Sequence, residues 1–189
     1  NYIVYNRLSK TNLPKEDFIC ATADELVKDT GLDMITQRDA DDQLLRKFRL
    51  AISVNGEYTA YHGGTVAGAL AAINATMTRV NAVFETDMAV TFEVQDFPEL
   101  IYTDAGTDPY SGSLSAWNVE LQNTLTSTIG NAAYDIGHMF GASGGGGNAG
   151  CIGCVCVDDS ASTSDRNKGA GITSPADGIP EGDNFDIDY

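Results

Sequence analysis

Histidine is scarce in this chain, and its scarcity excludes several kinds of catalytic site. The 189 residues contain 2 histidines, His62 and His138, so the chain cannot by itself build a three-histidine zinc site. The sequence at 141–145, GASGG, has GxSxG spacing, but we interpret it as a plain turn within a glycine-rich run rather than as a serine nucleophile turn. The glycine-rich run at 144–150 precedes cysteines and lacks Gly-Lys-Ser or Gly-Lys-Thr, so it does not indicate a phosphate-binding loop. We expect both histidines to be surface or strand residues rather than metal ligands.

Basic residues are also few. Eleven Lys and Arg stand against 27 Asp and Glu, for a formal net charge of -16. This charge repels phosphate and argues against nucleic acid and anionic membrane surfaces as partners. No apolar run reaches the length of a membrane span, and Asn1 is not followed by the regions of a signal peptide. We therefore expect no membrane association, and any signal peptide to be missing from this sequence.

The acidic residues favour a solvated surface, but two clusters leave calcium binding open as an alternative. Carboxylate oxygens are good calcium ligands, although neither cluster has the spacing of an EF-hand loop. The clusters are Asp39, Asp41 and Asp42, and Asp183, Asp186 and Asp188.

The four cysteines are Cys20, Cys151, Cys154 and Cys156. Disulfides are the first interpretation, because the acidic, lysine-poor composition suits a secreted protein. Cys154 and Cys156 are awkwardly close for a bond, so Cys20 is expected to reach one of the late cysteines. One alternative is a structural zinc held by all four thiolates. The others are free thiols or an iron–sulfur cluster, although the cysteine spacing does not match that of ferredoxins.

Hydrophobic periodicity predicts an α/β fold from residue 48 onwards. Alternation over Phe48–Val54 predicts a strand, steps of three and four from Val66 to Phe84 predict a helix, and Val90–Val94 predicts a second strand. Together they form a β-α-β unit with parallel strands. A third short strand is expected at Leu100–Thr103, and a second amphipathic helix from Leu114 to Leu125.

The strand predicted at Asp135–Phe140 is the main functional candidate. It runs into Gly144–Gly147, where no sheet can continue, so we expect it to lie at an open edge that accepts an extended peptide. The segment 158–183 is expected to be a long irregular loop. Residues 184–189 resemble the first turn of a helix, and we expect the sequence to be truncated there.

Residues 1–45 form a predicted leading segment, with a strand at 2–5 and a helix from Thr22 to Val27 after a capping box. The charged stretch Gln37–Gln43 is a plausible linker, so the main domain is expected to span 46–189.

Five stretches taken together resemble the bacterial reprolysin-like zinc metallopeptidases of the metzincin clan. They are RKFRLAISVNGEYTAYHGG (46–64), AAINATMTRVNAVFETDMAVTFEV (71–94), LIYTDAGTDPY (100–110), TIGNAAYDIGHMFGASGGGG (128–147) and GDNFDIDY (182–189). The resemblance covers 46–189 in order, while 1–45 resembles the end of a propeptide region. It implies the upper subdomain of the catalytic domain, with a mixed twisted sheet, two main backing helices and an antiparallel edge strand.

The resemblance also implies a mechanism. In such proteins the segment matching FDIDY leads into the HExxHxxGxxH helix, whose histidines bind zinc and whose glutamate is the general base. This chain ends before that helix, so it is expected to be inactive alone and to hold no catalytic zinc. The implied substrate-binding residues are Asp135, Ile136, Gly137, His138, Met139, Phe140 and Gly141, with 141–147 as a flanking bulge.

The leading hypothesis is thus a secreted zinc-dependent endopeptidase whose partners are a peptide substrate and the remaining C-terminal part of its own domain. The alternative is a non-catalytic peptide-binding or adhesion module on a metzincin frame. Substrate specificity, cysteine pairing, calcium use and oligomeric state are not readable from the residues.

Overall fold

The computed structural model describes residues 43–160 and 166–188. Cys20, the strand predicted at 2–5 and the helix predicted from Thr22 to Val27 lie outside these residues. The strands are β1 Arg46–Val54, β2 Val90–Val94, β3 Ile136–Phe140, β4 Gly146–Asn148 and β5 Gly171–Ser174. The α-helices are α1 Gly56–Tyr61, α2 Val66–Met88 and α3 Trp117–Thr128. Short 3-10 helices span Pro98–Leu100 and Asn131–Ala133, and a π-helical segment spans Asn184–Asp188.

The strands form one five-stranded sheet in the order β2-β1-β3-β5-β4. β1 pairs parallel with β2 and β3, β3 pairs parallel with β5, and β4 is antiparallel to β5. α2 connects β1 to β2, as the alternating and helical patterns predict. The predicted fold class, a mixed sheet with two backing helices and an antiparallel edge strand, is confirmed.

α2 and α3 cover opposite faces of the sheet, because alternate residues of each inner strand point to opposite sides. The core beneath α2 contains Leu50, Ile52, Val54, Ile73, Met77 and Phe185. The core beneath α3 contains Ala51, Trp117, Leu121, Leu125 and Met139. Among the described residues, no helix is both long and apolar enough to cross a membrane.

The prediction that Asp135–Phe140 is the edge strand is wrong. β3 lies inside the sheet, where its register pairs Val54 with Phe140 on one side and Phe140 with Thr173 on the other. The antiparallel edge strand is β4 instead. Apolar side chains on both faces of β3 are typical of an interior parallel strand, whereas the prediction relied on the glycines that follow it.

Two further elements differ from the sequence predictions. Leu100–Thr103 is not a strand, because Pro98–Leu100 forms a 3-10 helix and Ile101 makes a single parallel bridge to Val54. The predicted irregular segment 158–183 contains β5. β5 is four residues long and includes glycine and serine, so it carries too little periodicity to be recognised.

The helix α1 follows β1 directly and ends before the pair Gly63-Gly64. Asn55 is its N-cap, with the side-chain oxygen accepting from the Tyr58 amide at 3.0 Å. The amide nitrogen of the same side chain donates to Ser143 Oγ at 3.1 Å. Asn55 therefore joins the start of α1 to the glycine-rich loop that follows β3.

We expect Asn55→Ala to lower the free energy of unfolding by about 1–2 kcal/mol, because a helix cap is lost at a buried position. Asn55→Ser is the control, since it keeps a capping oxygen and should lose less. Urea denaturation at neutral pH measures the free energy of unfolding of both variants and of the parent protein. Equal stability of the alanine variant and the parent protein would contradict this role of Asn55.

Candidate functional site

The residues predicted to bind substrate divide between the two faces of β3. Ile136, His138 and Phe140 face α2, whereas Gly137 and Met139 face α3. A Cβ added at Gly137 would lie 2.2 Å from Leu125 Cδ1, so α3 packs directly against its backbone. Met139 has no accessible surface. The α3-facing residues therefore serve the core, and a role of Asp135–Gly141 in substrate binding stays a prediction.

Asp135 is engaged within the fold. Its carboxylate accepts hydrogen bonds from the Arg49 backbone nitrogen at 2.8 Å and from Arg49 Nη2 at 2.7 Å. The side-chain hydrogen bond from Arg49 lowers the pKa of Asp135 below its ordinary value. The Asp135 amide also donates to the Arg49 carbonyl at 2.9 Å. The pair fixes the register of β1 against β3 at the point where β3 begins.

The open edge of the sheet presents the backbone of Gly147. The Thr173 carbonyl accepts from the Gly141 amide at 2.8 Å, so the backbone groups of Thr173 point towards β3. Ile172 and Ser174 must then point towards β4, because successive residues of a strand alternate sides. Their register partners are Asn148 and Gly146, which leaves the N–H and C=O of Gly147 directed away from the sheet.

Gly144, in the glycine-rich segment before β4, lies where there is little room for a side chain. To reach the far edge, the chain leaving β3 crosses the carboxyl end of β5, and Gly144 donates its N–H to Ser174 Oγ at 2.7 Å. A Cβ at Gly144 would lie 2.8 Å from both Ser174 Cβ and Leu114 Cδ1. A side chain at Gly144 would thus force its neighbours to shift, and the glycines mark the crossing of β5 rather than the end of an edge strand.

A cavity of about 350 Å³ lies between α2, the sheet and the segment Phe185–Ile187. Its walls are mainly apolar, and the polar groups on them are Thr76, His138, Thr173 and Asp186. Thr173 is also the register partner of Gly147. The cavity and the open edge therefore adjoin through one residue of β5.

His138 is a strand residue on the cavity wall, with Nε2 2.9 Å from Thr173 Oγ1. It keeps some accessible surface, but the protein around it lowers its pKa to about 4 through desolvation. His138 is therefore neutral at neutral pH. His62 lies elsewhere, with its ring 4.6 Å from that of Tyr58 and its Nε2 3.2 Å from the Pro180 carbonyl.

The described residues do not fit a catalytic zinc. Within 43–160 and 166–188, no three His, Cys, Asp or Glu side chains come together in a group that could hold a metal ion. The two histidines face different neighbours, and His138 is engaged with Thr173. Calcium binding stays untested, because Asp39, Asp41 and Asp42 lie outside the described residues.

Asp183 and Asp186 are bound by a basic residue that sequence analysis did not single out. Arg79 of α2 forms ion pairs with both carboxylates. Asp186 also accepts from Thr76 Oγ1 at 2.7 Å. Arg79 is the sole Lys or Arg in α2, but only the fold shows that it meets residues more than 100 positions away.

Cys151 and Cys154 form a disulfide with their Cα atoms 5.6 Å apart. Cys156 is free and exposed. This disulfide uses two of the four thiolates that a structural zinc would need. The expected bond from Cys20 to a late cysteine stays a prediction.

Comparison with known proteins gives a family match over most of the chain. Residues 45–189 match the model of the metallopeptidase family M12B, described as reprolysin-like. A search of curated proteins finds no match to this chain. Since the matched range includes every strand of the sheet and both main helices, the chain belongs to the reprolysin-like M12B family of metallopeptidases.

Proposed function

We propose that the protein is a secreted zinc-dependent endopeptidase and that these residues align its peptide substrate. Membership of a metallopeptidase family supports peptide-bond hydrolysis. The observation that carries the alignment is the outward-directed backbone of Gly147 on the antiparallel edge strand. An edge of this kind binds an extended peptide as one additional strand.

The substrate peptide runs antiparallel to β4 in this proposal. In an antiparallel pair, two directly opposed residues can exchange both of their backbone hydrogen bonds. Gly147 would therefore donate its N–H to one substrate residue and accept from the N–H of that same residue. Two bonds to one residue fix the position of the peptide along the edge, and pockets for the alternating side chains would add selectivity.

We further propose that the zinc ligands of the intact enzyme lie outside the described residues. Within 43–160 and 166–188, no three His, Cys, Asp or Glu side chains form a group that could hold a metal ion, whereas the family is one of metallopeptidases. The part described here would then contribute binding and orientation of the peptide. Holding reactants in the correct geometry is itself a large part of catalysis.

An extracellular location is supported by the Cys151–Cys154 disulfide, since such bonds persist mainly in oxidising compartments. We accordingly place the intact enzyme outside the cell. We assign no role to nucleic acid, in keeping with the net charge of -16.

Metal removal tests the proposed function in the intact natural protein. We expect hydrolysis of a casein-like substrate to stop with a zinc-selective chelator and to return when zinc is added back. The same chelator saturated with zinc beforehand is the matched control and should leave the rate unchanged. If the zinc-loaded protein binds peptides without cleaving them, the peptidase proposal is wrong and a binding module is the better description.

A further inference from the structure

β2 is the outermost strand of the described sheet on the side opposite β4. Its sequence, VTFEV, is rich in β-branched and aromatic residues, which favour strand pairing. An edge strand with free backbone groups is a template on which another chain can pair. β2 would therefore accept a further strand unless its outward backbone groups are occupied.

Phe92 carries the central backbone groups of that outer edge. The carbonyl of Ala89 accepts from a β1 amide at 2.8 Å, and the amide of Gln95 donates to a β1 carbonyl at 2.9 Å. The residues of a strand direct their backbone groups to alternate sides, so the even-numbered residues of β2 direct theirs away from the sheet. These residues are Val90, Phe92 and Val94, with Phe92 in the middle.

Asn81 of α2 bonds to both outward backbone groups of Phe92. Its Oδ1 accepts from the Phe92 N–H at 2.9 Å, and its Nδ2 donates to the Phe92 C=O at 2.8 Å. One side-chain amide thus makes the same two hydrogen bonds that a residue of an added antiparallel strand would make. Phe84, on the same face of α2, lies with its ring 4.9 Å from that of Phe92. α2 therefore holds both the backbone and the side chain of Phe92.

We propose that Asn81 protects the β2 edge from pairing with a second copy of this chain. The edge is self-complementary, because a two-fold axis at Phe92 places Phe92 against its counterpart and Val90 against Val94 of the second copy. Asn81 occupies the central position of that ladder, so the bonding sites on either side of Phe92 are left isolated. This inference goes beyond the proposed function and does not depend on it, because it concerns the edge opposite β4.

The test compares variants of the intact natural protein in the absence of substrate. Asn81→Ala removes both hydrogen bonds and introduces a residue that favours helix. Asn74→Ala is the matched control, because Asn74 lies on the same helix but its Nδ2 donates to the Leu70 carbonyl of that helix at 2.9 Å. Sedimentation over a range of protein concentrations measures self-association, and amide hydrogen exchange in β2 reports whether this edge is used.

For Asn81→Ala we expect the self-association constant to rise by about 10-fold or more over that of the parent protein, because two backbone groups become available to the second copy. The β2 amides should exchange faster in the dilute variant and become protected as its concentration rises. Asn74→Ala should associate no more than the parent protein. Adding Val90→Lys to Asn81→Ala should reverse the association, because a lysine on an edge strand opposes pairing. A merely structural role would speed exchange without this dependence on concentration.

Three results would overturn the inference. The first is a folded Asn81→Ala variant that associates no more than the parent protein. The second is association of that variant without protection of the β2 amides, and the third is a parent protein that already associates through β2. Should Asn81→Ala not fold, Asn81→Ser decides the question by the same measurements. None of these results bears on the peptidase proposal, because self-association is measured without hydrolysis.

Discussion

Replacing Gly147 by proline is expected to raise the KM for a peptide substrate by roughly 10- to 100-fold in the intact enzyme. Proline has no backbone N–H, so the substrate carbonyl that would accept from Gly147 is left without its partner. An unmade buried hydrogen bond costs about 1–3 kcal/mol, which corresponds to this range. The N–H of Gly147 points away from β5, so the ladder between β4 and β5 is retained.

Gly147→Ala is the control for this experiment, because alanine keeps the N–H while adding a side chain at the same position. The two variants are compared by steady-state kinetics, and thermal unfolding verifies that both are folded. An unchanged KM in the folded proline variant would show that the substrate does not pair with β4. The docking edge would then have to be sought elsewhere.

Acidification is expected to destabilise the protein through His138, by about 3 kcal/mol between pH 7 and pH 4. The fold lowers the pKa of His138 from 6.5 to about 4 because the charged form is desolvated. Above pH 6.5, His138 is neutral in the folded and unfolded states. As pH falls through the interval from 6.5 to 4, only the unfolded chain gains the proton, so stability is lost.

Asp186 lines the same cavity as His138, but its carboxylate is bound by Arg79 and Thr76. Because the pKa of Asp135 is lowered, this carboxylate gains a proton only at more acidic pH, and its ion pair with Arg49 is lost there. Asp186 and Asp135 are present both in the parent protein and in a variant at position 138, so they contribute equally to the pH dependence of the two proteins. The difference between the two proteins therefore isolates the histidine.

His138→Gln provides that comparison, because glutamine retains polar atoms near Thr173 but does not titrate. Denaturant unfolding of both proteins at pH 7 and pH 4 gives the difference in free energy. The parent protein should lose more stability than the variant, and equal losses would show that His138 does not carry this acid sensitivity.

Residues with strong local periodicity were predicted correctly. The alternation in Phe48–Val54 and the helical spacing from Val66 to Phe84 correspond to β1 and α2, since both patterns reflect burial of one face of a single element. β4 and β5 were missed because three- and four-residue strands containing glycine and serine show no such period. The sequence does carry a signal that places β3 inside the sheet. Its two faces both bear apolar residues, Met139 on one and Phe140 on the other, and both residues are buried in the structure.

The sequence by itself determined the α/β class, the family resemblance and the main helices, because each depends on the order and spacing of residues along the chain. Only the tertiary structure decided that β4 forms the edge, that Gly147 faces outwards, and that Arg79 holds Asp186. The physical reason is distance along the chain. Strand order and ion pairing join residues far apart in sequence, and no local pattern records which of them will meet.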